Sequence, residues 1–431
     1  MSDPDVIFSL FQKARGRFPG FAVDSRGEKR LYLNSGAGSL TVDSCLKAIN
    51  AEGAALNPMP GQITPPENET LQFQQRVRQL VADFLGAASH EEISFHFSTT
   101  AALFNLAFAL RSLFKPGKNL VVSDLDHFAN ISPWETIGSS QGAEIRRVRL
   151  TRDLSLDTSD LVTKLDHNTV LVALTGASNV LGTILPLTDL VSEIKQKSPA
   201  LVVVDAVHLA PHAPVDVREI GCDFLAFSGY KIFGPMIGIL YSRLDTRDRF
   251  SPYRVETNKE QPPFCWEQGM LPNLHLAGLK GALEYLLELG QKASPKDSSS
   301  PARKIFRRAL EAIKRYEQDL SLYFLERFKK IDFPRLKFYG LDSPGRVTAR
   351  TPTFALEIAG LNPSELKKLL WEKGRVLIAD GNHYSAVVVR HLQKSGLNRV
   401  SLSHYDGPDS IDLFFDCLED IISHQINLTS S

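Results

Sequence analysis

The chain has 431 residues, of which 43% are hydrophobic, so it is long enough to bury the core of a large domain and of a smaller one. Lys and Arg together number 49, as do Asp and Glu, and this balance gives no electrostatic reason to expect nucleic acid or an anionic membrane as a partner. No apolar run reaches the roughly 18 residues of a membrane span, and the first 20 residues lack the apolar core of a signal peptide. We therefore expect a globular, cytoplasmic protein that acts on small molecules or proteins.

The four cysteines stand far apart in the sequence, at Cys45, Cys222, Cys265 and Cys417. None belongs to a CxxC pair, the spacing typical of zinc sites and of redox-active disulfides. The spacing therefore argues against a metal site and against a disulfide framework. It predicts reduced thiols that mostly serve as small apolar groups in the core.

Short β-branched runs alternate with helical segments from about Leu31 onward. Several runs, such as NLVVS, NTVLVALT, ALVVVD and DFLAFS, are nearly continuous in apolar residues, as is typical of parallel strands covered on both faces. We therefore predict an α/β fold with a mostly parallel sheet. Ligands of such sheets bind beyond the carboxyl ends of the strands, so the polar residues that follow these runs should converge. They are His127, Asn179, Asp205 and Lys231.

The last third of the chain has a different pattern. Residues 293–303 are polar and rich in Pro and Ser, which indicates an exposed connection between two helices. A long helical segment, two strand-like runs and a helix from about Pro363 follow, and this order predicts a smaller α+β domain. We predict an amino-terminal arm of residues 1–30 that joins the small domain, a large domain of residues 31–285, and a small domain of residues 286–431.

Residues 201–235 carry the most informative chemistry. Asp205 ends a predicted strand, and about 26 residues later Lys231 stands in a Gly-flanked turn. This pair suits a pyridine cofactor with an aldehyde, because the acid can pair with a protonated ring nitrogen and the lysine can form a Schiff base with the carbonyl. Taken singly, Lys231 could be an exposed loop residue and Asp205 a helix cap.

The same stretch, with the pattern DAVHxAPH followed by DVxxxGCDFLxxSxYKxFGP, resembles the cofactor-lysine region of class V aminotransferases and cysteine desulfurases. The resemblance runs from LYLNSGAGSL near Leu31 to the final helices. It implies the fold type I of pyridoxal 5'-phosphate (PLP) dependent transferases. It also implies roles for five residues: Asp205 at the pyridine nitrogen, His208 near the 3'-oxygen, Ser228 and Tyr230 at the phosphate, and Lys231 in the Schiff base.

Three further segments resemble cofactor-binding motifs of that family. FHFSTTAALF matches the phosphate-binding turn, in which backbone N–H groups at a helix start and the hydroxyls of Thr99 and Thr100 bind the anion; an ordinary helix cap is the alternative. SDLDHFANISPW implies that His127 stacks on the cofactor ring, where it can also relay protons. In TGASNVLG, Asn179 would approach cofactor and substrate, with a simple Asn-supported turn as the alternative.

Two further residues are implied to bind substrate. Arg399 in GLNRVSLSHYD matches the family arginine that clamps the α-carboxylate of an amino acid, a role for which a planar bidentate donor is suited. A surface salt bridge is the alternative. Asn382 lies in DGNHYSA, a segment expected to face the substrate, although it could simply form a turn. The resemblance also implies a homodimer with active sites at the interface.

The chain departs from the desulfurase pattern at three places. The segment that carries the nucleophilic cysteine in desulfurases has none here, and Tyr384 stands about where that thiol would be. Cys265 is the remaining thiol near an active-site segment. Met270 replaces the threonine that reaches the phosphate from the neighbouring subunit, and Asp406 replaces an asparagine.

These departures favour one reaction among several. Without a loop thiolate, formation of a protein persulfide is disfavoured, and we predict β-elimination from a cysteine derivative, as in C–S lyases. Transamination and epimerisation of an amino acid are the alternative reactions. A non-catalytic partner subunit with the PLP fold is a further alternative, which the retention of the lysine, acid, histidine and arginine disfavours.

Overall fold

The structure, a computed structural model, describes residues 4–53, 55–56, 59–257, 261–295 and 299–429. The strands are β1 (Leu31–Tyr32), β2 (Ile93–His96), β3 (Asn119–Ser123), β4 (Glu144–Val148), β5 (Thr169–Thr175), β6 (Leu201–Asp205), β7 (Phe224–Ser228), β8 (Gly238–Ser242), β9 (Leu336–Tyr339), β10 (Thr353–Ile358), β11 (Val376–Leu377), β12 (Ala379–Gly381) and β13 (Leu397–Ser401). The α-helices are α1 (Pro4–Arg15), α2 (Asp43–Ala48), α3 (Pro65–Leu85), α4 (Thr99–Ala109), α5 (Ser132–Ser140), α6 (Thr158–Lys164), α7 (Leu187–Lys197), α8 (Val217–Ile220), α9 (Leu244–Arg247), α10 (Asn273–Ala293), α11 (Ala302–Lys329), α12 (Pro363–Gly374), α13 (Ala386–His391) and α14 (Pro408–Thr429).

Seven strands form the central sheet in the order β2-β8-β7-β6-β5-β3-β4. The five strands from β7 to β4 run parallel to one another. Strand β8 runs antiparallel to both of its neighbours, β7 and β2. The prediction of an α/β fold with a mostly parallel sheet is therefore confirmed.

Both faces of the central sheet are covered. Alternate residues of β6 pack into different clusters of the core, with Val202 and Val204 in one and Leu201 and Val203 in the other. All four are buried. Because successive side chains of a strand point to opposite faces, a strand buried on both faces needs apolar residues at every position. This requirement explains the unbroken run LVVV.

A smaller sheet lies in the last third of the chain. Its four strands are antiparallel and have the order β12-β13-β10-β9. Helices α11 and α14 pack against it, since the ring of Phe324 stacks on that of Phe354 at a centroid distance of 3.8 Å and lies 5.8 Å from that of Phe414. The α+β character predicted for this part of the chain is confirmed.

The connections between the two sheets bear on the predicted domain limits. Helix α10 ends at Ala293 and α11 begins at Ala302, so the predicted polar connection lies between two long helices; its residues 296–298 are outside the described part of the chain. The predicted limit between residues 285 and 286 falls within α10. Strand β1 pairs in parallel with β11, far along the chain. The division into an arm and two domains stays a prediction.

Within the described residues, no helix is long and apolar enough to cross a membrane. A search of the same residues for groups of three or more His, Cys, Asp or Glu side chains able to hold a metal ion found none.

A buried ion pair ties the segment that begins at Glu267 to the central sheet. The side chains of Arg78 on α3 and Glu267 are 1% and 4% exposed, and Arg78 Nη2 donates to Glu267 Oε2 at 2.8 Å. The backbone N–H of Phe95 on β2 donates to Glu267 Oε1 at 2.9 Å. A carboxylate buried in this way depends on its cation, because removal of one partner leaves the other charge without compensation.

We expect Arg78→Leu to lower the free energy of unfolding by about 3–5 kcal/mol, because it leaves the Glu267 carboxylate buried without its cation. The first transition of a guanidinium titration measures the change. The double variant Arg78→Leu/Glu267→Leu is the control, and it should recover much of the loss because the uncompensated charge is gone. A single variant as stable as the parent would show that the pair does not hold the segment.

Candidate active site

The polar residues predicted to converge do so at the carboxyl ends of the parallel strands. Asp205 is the last residue of β6, and Lys231 closes the 3₁₀ turn Gly229–Lys231 that follows β7. His127 and Asn179 lie in the turns after β3 and β5. The charge on Lys231 affects the pKa of both His127 and Asp205, so the three groups share one electrostatic environment.

Lys231 is buried, with 5% of its surface exposed. Its Nζ donates a hydrogen bond to the carbonyl of Gly36 and lies 5.4 Å from the centre of the Tyr230 ring. Burial, together with the positive charge of Arg399, lowers the pKa of Lys231 to about 7, although the charge of Asp205 opposes this. The amine is therefore largely neutral just above neutral pH, as a nucleophile or a proton acceptor must be.

Asp205 is buried beside this lysine. Its Oδ1 accepts a hydrogen bond from the backbone N–H of Val207 at 2.9 Å. Burial raises the pKa of Asp205 to about 6, while the Val207 bond and the charge of Lys231 lower it. The alternative of a helix cap does not describe this carboxyl group, because it lies at a strand end inside the core.

The start of α4 has the geometry of an anion site. Ser98 caps the helix, and its Oγ accepts from the N–H of Ala101 at 3.1 Å. Thr99 Oγ1 lies 2.6 Å from Ser228 Oγ at the end of β7. Thr100 is exposed on the first turn. The cap and the anion site are compatible, because one capping oxygen leaves other N–H groups of the first turn free of helical partners.

Tyr230 belongs to the same corner of the site. Burial raises the pKa of Tyr230, and its interaction with Ser228 opposes this rise. Gly238 on β8 allows this corner to close, since a Cβ there would lie 2.3 Å from the carbonyl carbon of Ser98. The structure thus gathers Thr99, Ser228 and Tyr230 at the helix start, as the resemblance implies.

His127 is a neutral imidazole. Burial, with the charges of Lys231 and Arg399, lowers the pKa of His127 to about 4. Its Nδ1 accepts from the backbone N–H of Ala129 at 3.0 Å, which leaves the proton on Nε2. Its ring lies 5.5 Å from that of Tyr384, centre to centre.

The turn that carries His127 is held by a buried acid that sequence analysis missed. Asp126 Oδ1 accepts from Asn130 Nδ2 at 2.7 Å, and Ser123 Oγ donates to Asp126 Oδ2. Burial raises the pKa of Asp126 to about 8, so the group is mostly protonated at neutral pH. The sequence feature that could have identified Asp126 is its position directly before His127 in SDLDHFANISPW.

His208 faces the smaller sheet. Its Nε2 lies 3.0 Å from Thr353 Oγ1 and 3.2 Å from Thr351 Oγ1, and burial lowers the pKa of His208 well below its usual value. Nothing in the local sequence of TPTFALEI indicated that its threonines would meet His208, because these contacts span more than 140 positions of the chain.

Arg399 on β13 is 3% exposed, and burial lowers its pKa to about 10. Its Nη1 donates to the backbone carbonyl of Asn179 at 2.8 Å, and its Nη2 lies 3.4 Å from Asn34 Oδ1. Its Nε has no hydrogen-bond partner among the described residues. A surface salt bridge, the alternative considered for Arg399, does not fit a buried guanidinium whose hydrogen-bond partners, Asn179 and Asn34, are uncharged. A donor left without a partner inside the core is suited to an anionic ligand.

Gly36 is a further residue that sequence analysis missed. A Cβ at Gly36 would lie 2.9 Å from Ser401 Oγ and 3.0 Å from the guanidinium carbon of Arg399, and its carbonyl accepts from Lys231. Only a glycine lets the backbone pass between the arginine and the lysine. The sequence feature that could have identified Gly36 is the short glycine-rich run SGAGS.

Residues 381–385, from the last residue of β12 to the residue before α13, form the 381–385 loop. Asn382 is exposed, and its Oδ1 accepts from the N–H of Tyr384 at 3.0 Å, which is the turn-forming alternative considered for it. Its role in substrate binding stays a prediction. Tyr384 is 73% exposed beside His127.

Met270 and Asp406, the other departures from the desulfurase pattern, lie in different environments. Met270 is 51% exposed. Asp406 is buried and caps a turn, since its Oδ2 accepts from the N–H of Ser403 at 2.8 Å, and burial raises its pKa well above the usual range. All four cysteines are buried, and burial raises the pKa of each thiol: Cys45, Cys222, Cys265 and Cys417.

The sheet order and the lysine and acid at its strand ends define a class of protein, the PLP-dependent enzymes of fold type I. Within that class, the chain belongs to the class V aminotransferase family, because the family model described as "Aminotransferase class-V" matches residues 31–414. Members of this family depend on PLP.

Proteins similar to this chain indicate which branch of the family it resembles. Cysteine desulfurases of Pectobacterium atrosepticum and Yersinia pseudotuberculosis are each 30% identical over 419 residues, which is 93% of this chain and 95% of each relative. The apo cysteine desulfurase of Thermococcus onnurineus has a TM-score of 0.82 at 24% identity and covers 98% of this chain and 99% of its own. A cysteine desulfurase of Escherichia coli has a TM-score of 0.79 at 22% identity and covers 96% of this chain and 98% of its own. The chain is therefore a cysteine desulfurase-like enzyme.

Proposed function

We propose that this chain is a PLP-dependent lyase that cleaves the Cβ–S bond of an S-substituted cysteine by β-elimination. The supporting observation is that the groups around Lys231 are retained while the loop thiol of desulfurases is replaced by Tyr384. Persulfide formation needs an accessible thiolate, and burial with a raised thiol pKa disfavours that role for any of the four cysteines.

The residues present fit the cofactor. Lys231 would hold its carbonyl carbon, Asp205 its ring nitrogen, and the start of α4 with Thr99 and Ser228 its phosphate. Burial raises the pKa of Asp205 to about 6 when no cationic ring nitrogen lies beside it. Beside such a nitrogen the pKa would fall, so the carboxylate would be ionised there. When bound, the cofactor supplies an electron sink for the electron pair left on the substrate Cα.

The substrate would be held by its carboxylate. The unpartnered Nε of Arg399 and the long contact of its Nη2 with Asn34 leave donors free for a carboxylate. The arginine lies close enough to Lys231 for its charge to lower the lysine pKa. A carboxylate bound there would bring Cα towards the amine.

Lys231 would then move the proton. With a pKa of about 7, its free amine is a base matched to neutral pH and can take the proton from the substrate Cα. Loss of that proton and cleavage of the Cβ–S bond release the sulfur group as a thiol. The overall reaction balances as S-substituted cysteine plus water giving a thiol, pyruvate and ammonia.

Pyruvate release from S-alkyl cysteines tests the proposal, and turnover of L-cysteine tests the desulfurase alternative. We expect stoichiometric pyruvate and free thiol, with no sulfur on the protein by intact mass after turnover. Cys265→Ser should retain the activity, because its thiol takes no part. Conversion of the bound cofactor to its amine form without pyruvate would instead identify an aminotransferase, and racemised substrate without pyruvate an epimerase. Sulfane sulfur on a cysteine would overturn the proposal in favour of a desulfurase.

We further propose a homodimer in the cytoplasm. Phe97, beside the cap of α4, and Met270 are 67% and 51% exposed and line one crevice. Exposed large apolar groups next to an anion site favour cover by another chain. The resemblance to enzymes whose sites lie between subunits supports the same arrangement, and the two-domain division at residues 31–285 and 286–431 is proposed on the same basis.

A further inference from the structure

The backbone of the 381–385 loop has an unusual conformation. His383 and Tyr384 have φ angles of 53° and 56°, which place two consecutive residues with side chains in the left-handed region. That region costs roughly 1–2 kcal/mol for each such residue. A conformation of this kind persists only where its surroundings hold it in place.

Several hydrogen bonds hold the loop to the strand ends of the central sheet. Asn179 Nδ2 donates to the carbonyl of His383 at 2.8 Å, and Ser385 Oγ donates to Asn179 Oδ1 at 2.7 Å. The backbone N–H of Phe128 donates to the carbonyl of Tyr384 at 2.8 Å. The loop is therefore bound to the turns after β3 and β5, which also carry His127 and Asn179.

Asn179 thus uses both ends of its amide on the loop. Its amide orientation follows from its two partners, because a carbonyl can only accept from Nδ2 and the Ser385 hydroxyl donates to Oδ1. Its backbone carbonyl accepts from Arg399. Asn179 therefore connects the proposed carboxylate clamp to the loop that carries Tyr384.

We propose that Asn179 is a positioning residue that latches the 381–385 loop over His127 and thereby makes Tyr384 a fixed wall that selects the group on the substrate sulfur. This inference rests on the proposed lyase function for the identity of the substrate. The hydrogen bonds by which Asn179 holds the loop do not depend on that function. A loop that delivers a thiol must move towards the substrate, whereas a latched loop can only bound the space that the substrate enters.

The latch is tested in Asn179→Ala by hydrogen exchange of the peptide that covers residues 381–385, with and without added PLP. The variant loses two side-chain bonds to the loop and keeps the carbonyl that Arg399 uses. We expect exchange there to rise about tenfold or more, and Ser385→Ala, which loses one of the bonds, to show a smaller rise. PLP affinity should stay within about twofold of the parent.

Substrate selection is tested with S-methylcysteine and S-benzylcysteine as probes. In Asn179→Ala the KM should rise more than kcat falls, and the ratio of kcat/KM for the two probes should change in the same direction as in Tyr384→Ala. Unchanged exchange with a large loss of PLP affinity would overturn the latch and assign Asn179 to the cofactor. If the ratio of kcat/KM for the two probes were unchanged in Tyr384→Ala, the proposal that Tyr384 selects the group on the substrate sulfur would be wrong. Loosened exchange with no pyruvate from any probe, even in the parent, would leave the latch standing and remove the proposed lyase function.

Discussion

Lys231→Ala is expected to lower the lyase rate by at least about 10⁴-fold and to remove the visible absorbance of the bound cofactor. The reason is that one amine serves two purposes, because it would hold the cofactor and would move the Cα proton. Both purposes depend on the buried position that lowers its pKa to about 7. Pyruvate release and the absorption spectrum of the purified variant measure the two losses separately.

Lys197→Ala is a suitable control for this variant, because Lys197 is an exposed lysine at the end of α7. It should leave both the spectrum and the rate unchanged. Folding of Lys231→Ala is checked by its thermal transition without PLP, which should not fall below that of the PLP-free parent, since the variant removes a buried amine. Retention of the cofactor absorbance in Lys231→Ala would show that another group holds PLP, and the assignment of this site would then be wrong.

Arg399→Ala is expected to lower kcat/KM for S-substituted cysteines about 10²- to 10⁴-fold, chiefly through KM. Two charge-assisted hydrogen bonds to the substrate carboxylate would be lost, each contributing about 1.5–3 kcal/mol. Arg399→Lys should recover only a small part of the loss, because an ammonium group cannot reproduce the planar pair of donors. Steady-state kinetics with S-methylcysteine measure the change.

The matched control for the clamp is a substrate without a carboxylate. The parent enzyme should prefer S-methylcysteine strongly over the corresponding amine, and this preference should shrink in Arg399→Ala because the group that recognised the carboxylate is gone. PLP affinity should change little, since Arg399 lies on the smaller sheet and contacts Asn34 and Asn179. A variant that keeps the full preference would place the clamp at another residue.

Two of the three departures from the desulfurase pattern, Tyr384 and Asp406, have different structural surroundings. Tyr384 lies against His127 in a loop that is bonded to both neighbouring turns, so a tyrosine there in place of a thiol would change the chemistry available at the site. Asp406 instead caps a buried turn within its own segment. The first departure bears on function, and the second on local folding.

The sheet and the candidate cofactor residues could be predicted from the sequence. An unbroken apolar run such as LVVV is typical of a strand covered on both faces, and the residue that ends such a strand is expected at the ligand edge of a parallel sheet. Asp205 and Lys231 were therefore recognisable from local pattern and spacing. The family resemblance added the roles of residues that no periodicity distinguishes, such as Ser228 and Tyr230.

The tertiary structure alone decided which partners these residues have. Arg399 meets Asn179 across 220 positions, Lys231 meets Gly36 across 195, and Asn179 meets the 381–385 loop across more than 200. Such contacts arise because segments from distant parts of the chain meet near the carboxyl ends of the central strands, and local sequence carries no record of which distant carbonyl or hydroxyl will face a given side chain. Sequence could therefore identify Asn179 as a site residue, but only the packing showed that its amide is directed to the loop.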